Sequence, residues 1–201
     1  GFYEDAPYPV GRVMMALMKG SIQSDYEKGL ANLKELLGEK GVKMSKLTGI
    51  VTEEIPGFFA LVTAGRGTME EMTSKLSGMY GLLMTSSQAQ GLQITGAPFT
   101  HYLNYDEATG ISDFEAGLPV NKAGKSKAEV KAVTVPSFMA LKALHTGPYN
   151  ELGDSYTKLM NHIAEQKIET GTEAWEFYMN DPEMVPDETK WQTVIAFPLK
   201  K

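Results

Sequence analysis

The sequence contains no cysteine, and its 19 Lys and Arg residues are scattered along the chain rather than clustered. Without cysteine the protein has no disulfide bond, no thiolate metal site and no Cys nucleophile. Without a concentrated basic patch it has no surface suited to a phosphate backbone, and we therefore expect no direct nucleic-acid binding. The formal net charge of −6 leaves room for a cationic or neutral ligand.

Long apolar runs and targeting signals are also missing from the printed sequence. No stretch of 18 apolar residues is present, and no signal-peptide pattern stands at the start. The chain begins at Gly1 without Met and has the character of a trimmed sequence. We expect a cytoplasmic protein; a periplasmic location and a membrane anchor upstream are the alternatives.

The common catalytic motifs are absent as well. The sequence has no Gly-x-Ser-x-Gly elbow, no glycine-rich phosphate loop and no His-Glu-x-x-His pair. Its histidines, His101, His145 and His162, do not have the spacing of metal ligands. We therefore expect no metal and no cofactor, and a binding protein rather than an enzyme.

What the sequence does contain is an internal repeat. Residues 52–61 (TEEIPGFFAL) are echoed by residues 132–141 (AVTVPSFMAL), so that Pro56 and Pro136 stand 80 positions apart. Gly67 and Gly147 keep the same offset. A repeat of this length predicts two similar structural units, here approximately 42–120 and 130–201, joined by a polar linker over 121–129.

The segment after each repeated motif predicts a helix followed by two strands. Apolar residues at spacings of three and four draw one stripe down each helix, and the second stripe lies 80 positions after the first. Thr68 and Glu71 form a candidate capping box, and Gly91 is a candidate helix end. Strands are predicted over 99–105 and 111–120 in one half and over 174–180 and 192–199 in the other. The fold class is therefore α+β, with duplicated strand-helix-strand-strand units and antiparallel sheets.

Four stretches together resemble one known family. They are 96–102 (GAPFTHY), 113–120 (DFEAGLPV), 145–149 (HTGPY) and 175–182 (WEFYMNDP). Residues 42–201 resemble the GyrI-like (gyrase-inhibitor-like) effector-binding domains of bacteria. The resemblance implies a ligand cleft at a pseudo-twofold axis and a cationic or aromatic small-molecule ligand. It also implies two alternatives, because one branch of the family inhibits DNA gyrase and another resembles hydrolases of reactive ring-containing toxins.

Residues 1–41 lie outside the repeat and form a linker and a predicted amphipathic helix over 24–40. The segment 9–40 is similar to the last helix of START-like (polyketide-cyclase-type) carriers of hydrophobic molecules. This resemblance implies a START-like domain upstream in the full-length protein. Nothing in the segment resembles a helix-turn-helix.

Strand alternation selects the candidate ligand-binding residues. Trp175 and Phe177 share one face of their strand, which suits a helix-covered core, whereas Glu176 and Tyr178 share the other. A carboxylate flanked by aromatic rings suits a flat cation. The full candidate set is Glu176, Tyr178, Tyr102, Thr100, Glu115 and Trp175.

The expected function is therefore the binding of a small hydrophobic, cationic or aromatic molecule between the two repeats. One alternative is a small hydrolase in which Glu176 activates a water and Tyr178 or Tyr102 supplies a proton. That chemistry needs a raised carboxylate pKa, which an apolar cleft provides. The other alternative is a protein-binding module of the gyrase-inhibitor type. From its strand position alone, Glu176 also fits an exposed sheet face.

Overall fold

A computed structural model describes residues 46–106, 108–180 and 184–200 of the chain. These residues form eight strands and two α-helices, with short 3₁₀ turns at Tyr149–Glu151 and Glu188–Lys190. In chain order the main elements are β1 (Lys46–Ile55), β2 (Phe58–Gly67), α1 (Met69–Ala89), β3 (Phe99–Asp106), β4 (Ile111–Val120), β5 (Val130–Val135), β6 (Phe138–Thr146), α2 (Leu152–Gln166), β7 (Ala174–Tyr178) and β8 (Gln192–Pro198).

The helix ends follow the local signals in the sequence. At the start of α1, the Glu71 backbone N–H donates to Thr68 Oγ1, and the Thr68 backbone N–H donates to Glu71 Oε2. This is the predicted capping box, and Gly91 follows the end of α1 with a positive φ of 62°. Helix α2 stops at Gln166 because Lys167 turns into the left-handed region.

All eight strands belong to one antiparallel sheet with the order β1-β6-β8-β7-β3-β4-β2-β5. By the repeat, strands β1, β2, β3 and β4 are equivalent to β5, β6, β7 and β8, respectively. When each strand is replaced by its equivalent, the strand order is the same sequence read from the other end. A pseudo-twofold axis therefore passes between β3 and β7, the two central strands. The structure confirms the α+β class and the antiparallel pairing.

Each half contains one strand more than the repeat pattern predicts. Pro56 and Pro136 divide each predicted first strand into two, since proline cannot donate to a strand ladder. The first strand of each half then pairs with the other half, β1 with β6 and β5 with β2. The two halves therefore exchange edge strands.

This exchange curls the sheet. Only Pro56 and Gly57 connect β1 to β2, although the two strands lie near opposite ends of the sheet order. Three peptide units join Ile55 to Phe58 and span at most about 11 Å, so the two ends of the sheet must meet at this point. A Cβ on Gly57 would lie 3.1 Å from the Ser137 backbone nitrogen, which shows how closely the two proline turns approach each other.

The two faces of the sheet carry different cores. Tyr156, Leu159 and Ile163 of α2 pack with Ile195 and Phe197 of β8 on the helix-covered face. The repeat-equivalent residues Leu76 and Tyr156 both contact this core.

The opposite face, which we call the inner face, holds Phe58, Phe99, Phe138, Trp175 and Phe177. The expectation that Trp175 and Phe177 lie under the helices is wrong. The curled sheet itself covers these rings, because Phe58 packs on Phe99 and Phe138 packs on Trp175.

The predicted helix over 24–40 and the segment that is similar to a START-like helix lie outside the described residues. Among the described residues, no helix combines the length and the apolar character needed to cross a bilayer.

The inner face makes a stability prediction at Gly117. A Cβ at this position would lie 2.1 Å from Cζ of Phe99, whose ring rests on the glycine. We expect Gly117→Ala to lower the free energy of unfolding by about 1–3 kcal/mol, the cost of overpacking a close-packed core. Gly78→Ala is the matched control, because nothing lies within 4 Å of its added methyl on α1. The control should raise stability by roughly 0.5–1 kcal/mol through helix propensity. Urea unfolding of both variants measures the difference, and equal effects would contradict the packing at Phe99.

Candidate functional site

A carboxylate lies at the centre of the helix-covered face. Glu176 stands in the middle of β7, and only 3% of its surface is exposed. The Tyr156 hydroxyl donates to its Oε1 at 2.8 Å, and the Tyr178 hydroxyl lies within hydrogen-bond distance of its Oε2, at 2.9 Å. Tyr102 lies close enough to the carboxylate for each group to shift the pKa of the other. The alternative of an exposed strand carboxylate is therefore wrong.

The hydrogen bonds continue from Glu176 across the central strands to α1. The Tyr178 hydroxyl lies 2.9 Å from Thr100 Oγ1, which lies 3.2 Å from the Tyr80 hydroxyl. The Tyr80 hydroxyl in turn donates to the Phe99 carbonyl oxygen at 2.8 Å. A continuous chain of polar groups thus joins the two helices through one carboxylate.

The repeat explains why these residues meet. Thr100 on β3 stands directly opposite Glu176 on β7. The neighbouring ladders show that these two positions are equivalent in the two halves, since Phe99 faces Gly117 as Trp175 faces Ala196. By the same alignment, Tyr102 is the equivalent of Tyr178. The pseudo-twofold axis therefore passes through the Thr100–Glu176 pair.

Burial sets the protonation of this group. Burial raises the pKa of Glu176, and hydrogen bonds from Tyr156, Tyr178 and Tyr102 lower it by less. Burial likewise raises the pKa values of Tyr102, Tyr156 and Tyr178, and the nearby Glu176 charge raises them further. The tyrosines therefore stay neutral and act as hydrogen-bond groups.

Half-buried aromatic rings lead from this carboxylate to the surface. The Tyr178 ring packs edge-on against Tyr80 and Tyr149, with centroid distances of 6.3 and 5.6 Å. The Tyr149 ring lies 4.6 Å from Trp191. These four rings form an aromatic wall beside the carboxylate.

The structure brings together four of the six candidate residues: Glu176, Tyr178, Tyr102 and Thr100. Trp175 and Glu115 lie on the inner face, because Trp175 alternates with Glu176 and Glu115 pairs with His101. Four residues that contribute to the site were not among the candidates: Tyr80, Tyr149, Tyr156 and Trp191. Tyr156 belongs to the apolar stripe of α2, which faces the centre of the sheet. Its position in that stripe is the sequence feature that could have indicated a contact with the central strands.

Glu115 and Trp175 take part in a separate cluster around His101. The His101 ring stacks on Trp175 with a centroid distance of 3.8 Å and an interplanar angle of 17°. Its Nε2 lies 2.5 Å from Glu173 Oε2, and its Nδ1 lies 3.8 Å from Glu115 Oε2. Burial lowers the pKa of His101, but the hydrogen bonds and charges of Glu115 and Glu173 outweigh it, and the pKa is raised overall. The described residues contain no group of three or more side chains suited to hold a metal ion.

A surface depression of about 510 Å³ lies elsewhere, where β2 meets β5. Its lining includes Phe58, Phe59, Thr95 and Asn121 but no charged side chain. It therefore offers no counter-charge to a cationic ligand, and the centre of the helix-covered face is the stronger candidate.

The sequence matches the family of GyrI-like small molecule binding domains over residues 50–200. The chain belongs to this family. The GyrI-like resemblance is thus confirmed over residues 50–200, whereas the START-like resemblance upstream stays a prediction. No curated protein matches the sequence.

Solved structures share the fold of this GyrI-like domain. The EcmrR C-terminal domain is 24% identical with a TM-score of 0.67, and the match covers 78% of this chain and 98% of that one. EcmrR in its DNA complex is 22% identical with a TM-score of 0.66, covering 94% of this chain and 70% of that chain. SAV2435 bound to tetraphenylphosphonium is 10% identical with a TM-score of 0.52, covering 76% of this chain and 94% of that chain.

The His101 cluster predicts a pH dependence of stability. A folded-state pKa raised above the unfolded value of about 6.5 gives stability that is fully present below pH 6.5. This stability is lost as the pH rises through the raised pKa. We expect wild-type stability to fall from about pH 6 to pH 9 by more than that of His101→Gln, because the neutral amide cannot carry the charge.

Urea unfolding across this range measures the effect. His162→Gln, outside the cluster, is the control and should keep the wild-type profile. Parallel profiles for wild type and His101→Gln would show that the two carboxylates do not stabilise a charged imidazole.

Proposed function

We propose that this GyrI-like domain binds a small, hydrophobic, singly charged cation with aromatic groups, held by the Glu176 carboxylate. One observation carries the proposal. Glu176 is a buried carboxyl group, and in the part of the chain that the structure describes its hydrogen-bond partners are tyrosines, none of them a cation.

A buried carboxylate without a cationic partner is costly, because it has lost its hydration without gaining an opposite charge. A ligand cation supplies that charge. The rings of Tyr80, Tyr149, Tyr178 and Trp191 supply apolar contact and negative ring faces, which favour a cation whose charge is spread over aromatic groups.

A ligand that reaches the Glu176 carboxylate from solvent must pass Tyr178. Its side chain is half-buried, whereas Tyr156 is fully buried. A cation therefore approaches Oε2 by taking the place of the Tyr178 hydroxyl, while Tyr156 keeps its bond to Oε1. This route keeps one tyrosine to orient the carboxylate and moves only the residue nearest the surface.

The comparisons support the choice of ligand class. The family is described as small-molecule-binding, and SAV2435, which shares the fold, was solved with tetraphenylphosphonium. Tetraphenylphosphonium is a permanent cation surrounded by four rings and is the natural first probe for this chain.

A hydrolase that uses the same group is the second candidate. The observation that favours it is a carboxyl group with a raised pKa in contact with tyrosine hydroxyls, an arrangement suited to proton transfer. Binding and hydrolysis separate cleanly in a Glu176→Gln variant, since a hydrolase would lose turnover of a neutral substrate while still binding it.

The binding proposal predicts the effect of Glu176→Gln. We expect the variant to bind tetraphenylphosphonium about 1–3 kcal/mol more weakly, the scale of one charge-assisted contact. Neutral triphenylphosphine oxide should lose much less. The melting temperature should not fall, because the amide removes a buried ionisable group and still offers hydrogen bonds to the tyrosines.

Glu115→Gln is the matched control for this measurement. It removes the same charge from the inner face and should leave both affinities unchanged. Titration calorimetry on the three proteins measures the differences. Equal tetraphenylphosphonium affinity in wild type and Glu176→Gln would remove Glu176 from the binding site.

A further inference from the structure

The hydrogen atoms along the polar chain from Glu176 to α1 can be counted. The contacts run from Glu176 Oε2 to the Tyr178 hydroxyl, Thr100 Oγ1, the Tyr80 hydroxyl and the Phe99 carbonyl oxygen. Each hydroxyl has one hydrogen to donate, and the carbonyl has none. The number of hydrogens available therefore depends on whether Glu176 carries a proton.

An ionised Glu176 leaves the chain one hydrogen short. Tyr178 then donates to Glu176, Thr100 donates to Tyr178, and Tyr80 donates to the Phe99 carbonyl. The contact of 3.2 Å between Thr100 and Tyr80 is left with two oxygens and no hydrogen. Thr100 is fully buried, so water does not complete the bond.

A protonated Glu176 satisfies every contact. Its Oε2 donates to Tyr178, Tyr178 to Thr100, Thr100 to Tyr80, and Tyr80 to the Phe99 carbonyl, all in one direction. The other carboxyl oxygen, Oε1, accepts from Tyr156 at 2.8 Å. With Glu176 protonated, the four contacts of the chain have four hydrogens. The geometry of the free protein therefore agrees with a neutral Glu176.

We infer that the site exchanges one proton for one cation, with Thr100 and Tyr80 as positioning residues that hold Glu176 neutral until the ligand arrives. This inference rests on the proposed binding at Glu176. When a cation binds, the carboxyl O–H bond breaks, the proton passes to solvent buffer, and the carboxylate forms an ion pair with the ligand. With the cation in the place of the Tyr178 hydroxyl at Oε2, the remaining three contacts of the chain have three hydrogens, one each from Tyr178, Thr100 and Tyr80.

The surroundings of Glu176 agree with this exchange. The titratable groups that face it are tyrosine hydroxyls: Tyr102 from β3, Tyr178 from its own strand and Tyr156 from α2. From β8 the apolar Ile195 stands opposite Glu176, and α1 contributes Tyr80 through Thr100. Burial favours the neutral form of the carboxyl group in the same sense as the hydrogen count.

The exchange has a measurable consequence for affinity. Releasing one proton for each cation bound makes the apparent affinity for a permanent cation rise about tenfold per pH unit, as long as the free protein holds the proton. A site with an ionised carboxylate would show no such slope.

The first experiment needs no ligand. Infrared difference spectra between wild type and Glu176→Gln at neutral pH should show the C=O stretch of a protonated carboxyl group in the free wild type. Thr100→Val should weaken this band, because the Tyr178 hydroxyl loses its acceptor and donates to an ionised carboxylate instead. Thr100→Ser keeps the hydroxyl and should restore the band.

The second experiment counts protons during binding. Calorimetric titration of wild type with tetraphenylphosphonium in buffers of different ionisation enthalpy should give close to one proton released per cation. Thr100→Val should at least halve that number, and Thr100→Ser should recover it. Thr63→Val, which alters a buried threonine on β2 outside the polar chain, should keep the wild-type count.

The two failures can be told apart. Binding without proton release, together with no protonated carboxyl band, would overturn the proton exchange and leave cation binding intact. A protonated band with no binding of tetraphenylphosphonium would instead count against the proposed function. A purely structural role for Thr100 would change the melting temperature of Thr100→Val but not the proton count, and that result would overturn the positioning role of Thr100.

Discussion

The carboxyl group of Glu176 lies buried at the centre of the sheet, and its contacts connect the sheet to both helices. A buried carboxyl group needs hydrogen-bond partners from several directions. Tyr156 comes from α2 and Tyr102 from β3. Through Tyr178 and Thr100 the same group is tied to Tyr80 on α1. The positions of both helices on the sheet are therefore linked to one side chain.

The duplication places this group on the pseudo-twofold axis but does not repeat it. The position equivalent to Glu176 is Thr100, and the two stand opposite each other in the central ladder. A second carboxyl group at position 100 would bring two like charges into direct contact in a buried site, which strongly raises the pKa of one of them. A hydroxyl in its place accepts and donates hydrogen bonds without adding charge. A symmetric fold thus carries an asymmetric centre with a single ionisable carboxyl, which matches a ligand with one positive charge.

The sequence pattern predicted the features that depend on neighbouring residues, such as the position of α1 and the two faces of a strand. It did not predict the features that depend on which strands pair. Helical spacing and the Thr68–Glu71 capping box located α1, and alternation separated Glu176 from Trp175. Alternation defines two faces without saying which one the helices cover, and so the covered face was assigned the wrong way round. The exchange of β1 and β5 between halves was not predictable, because it depends on where the chain goes after Pro56 and Pro136. Glu115 was misplaced for a similar reason, since its face follows from the β3–β4 register.

The two faces of the central strands both combine acidic side chains with aromatic rings, but they differ in whether a basic group is present. On the inner face, His101 lies against the Trp175 ring and between the carboxylates of Glu173 and Glu115. A basic group whose pKa is raised, an aromatic surface and acidic partners are all supplied there by the chain itself. On the helix-covered face, Glu176 and the rings around Tyr178 provide the acid and the aromatic surface. In the described part of the chain, the partners of that carboxylate include no cation. In the exchange that we infer, a proton satisfies the carboxyl group in the free state, because each contact of the hydroxyl chain then has a hydrogen. The helix-covered face lacks a positively charged group, and the ligand that we propose supplies that charge on an apolar, aromatic molecule.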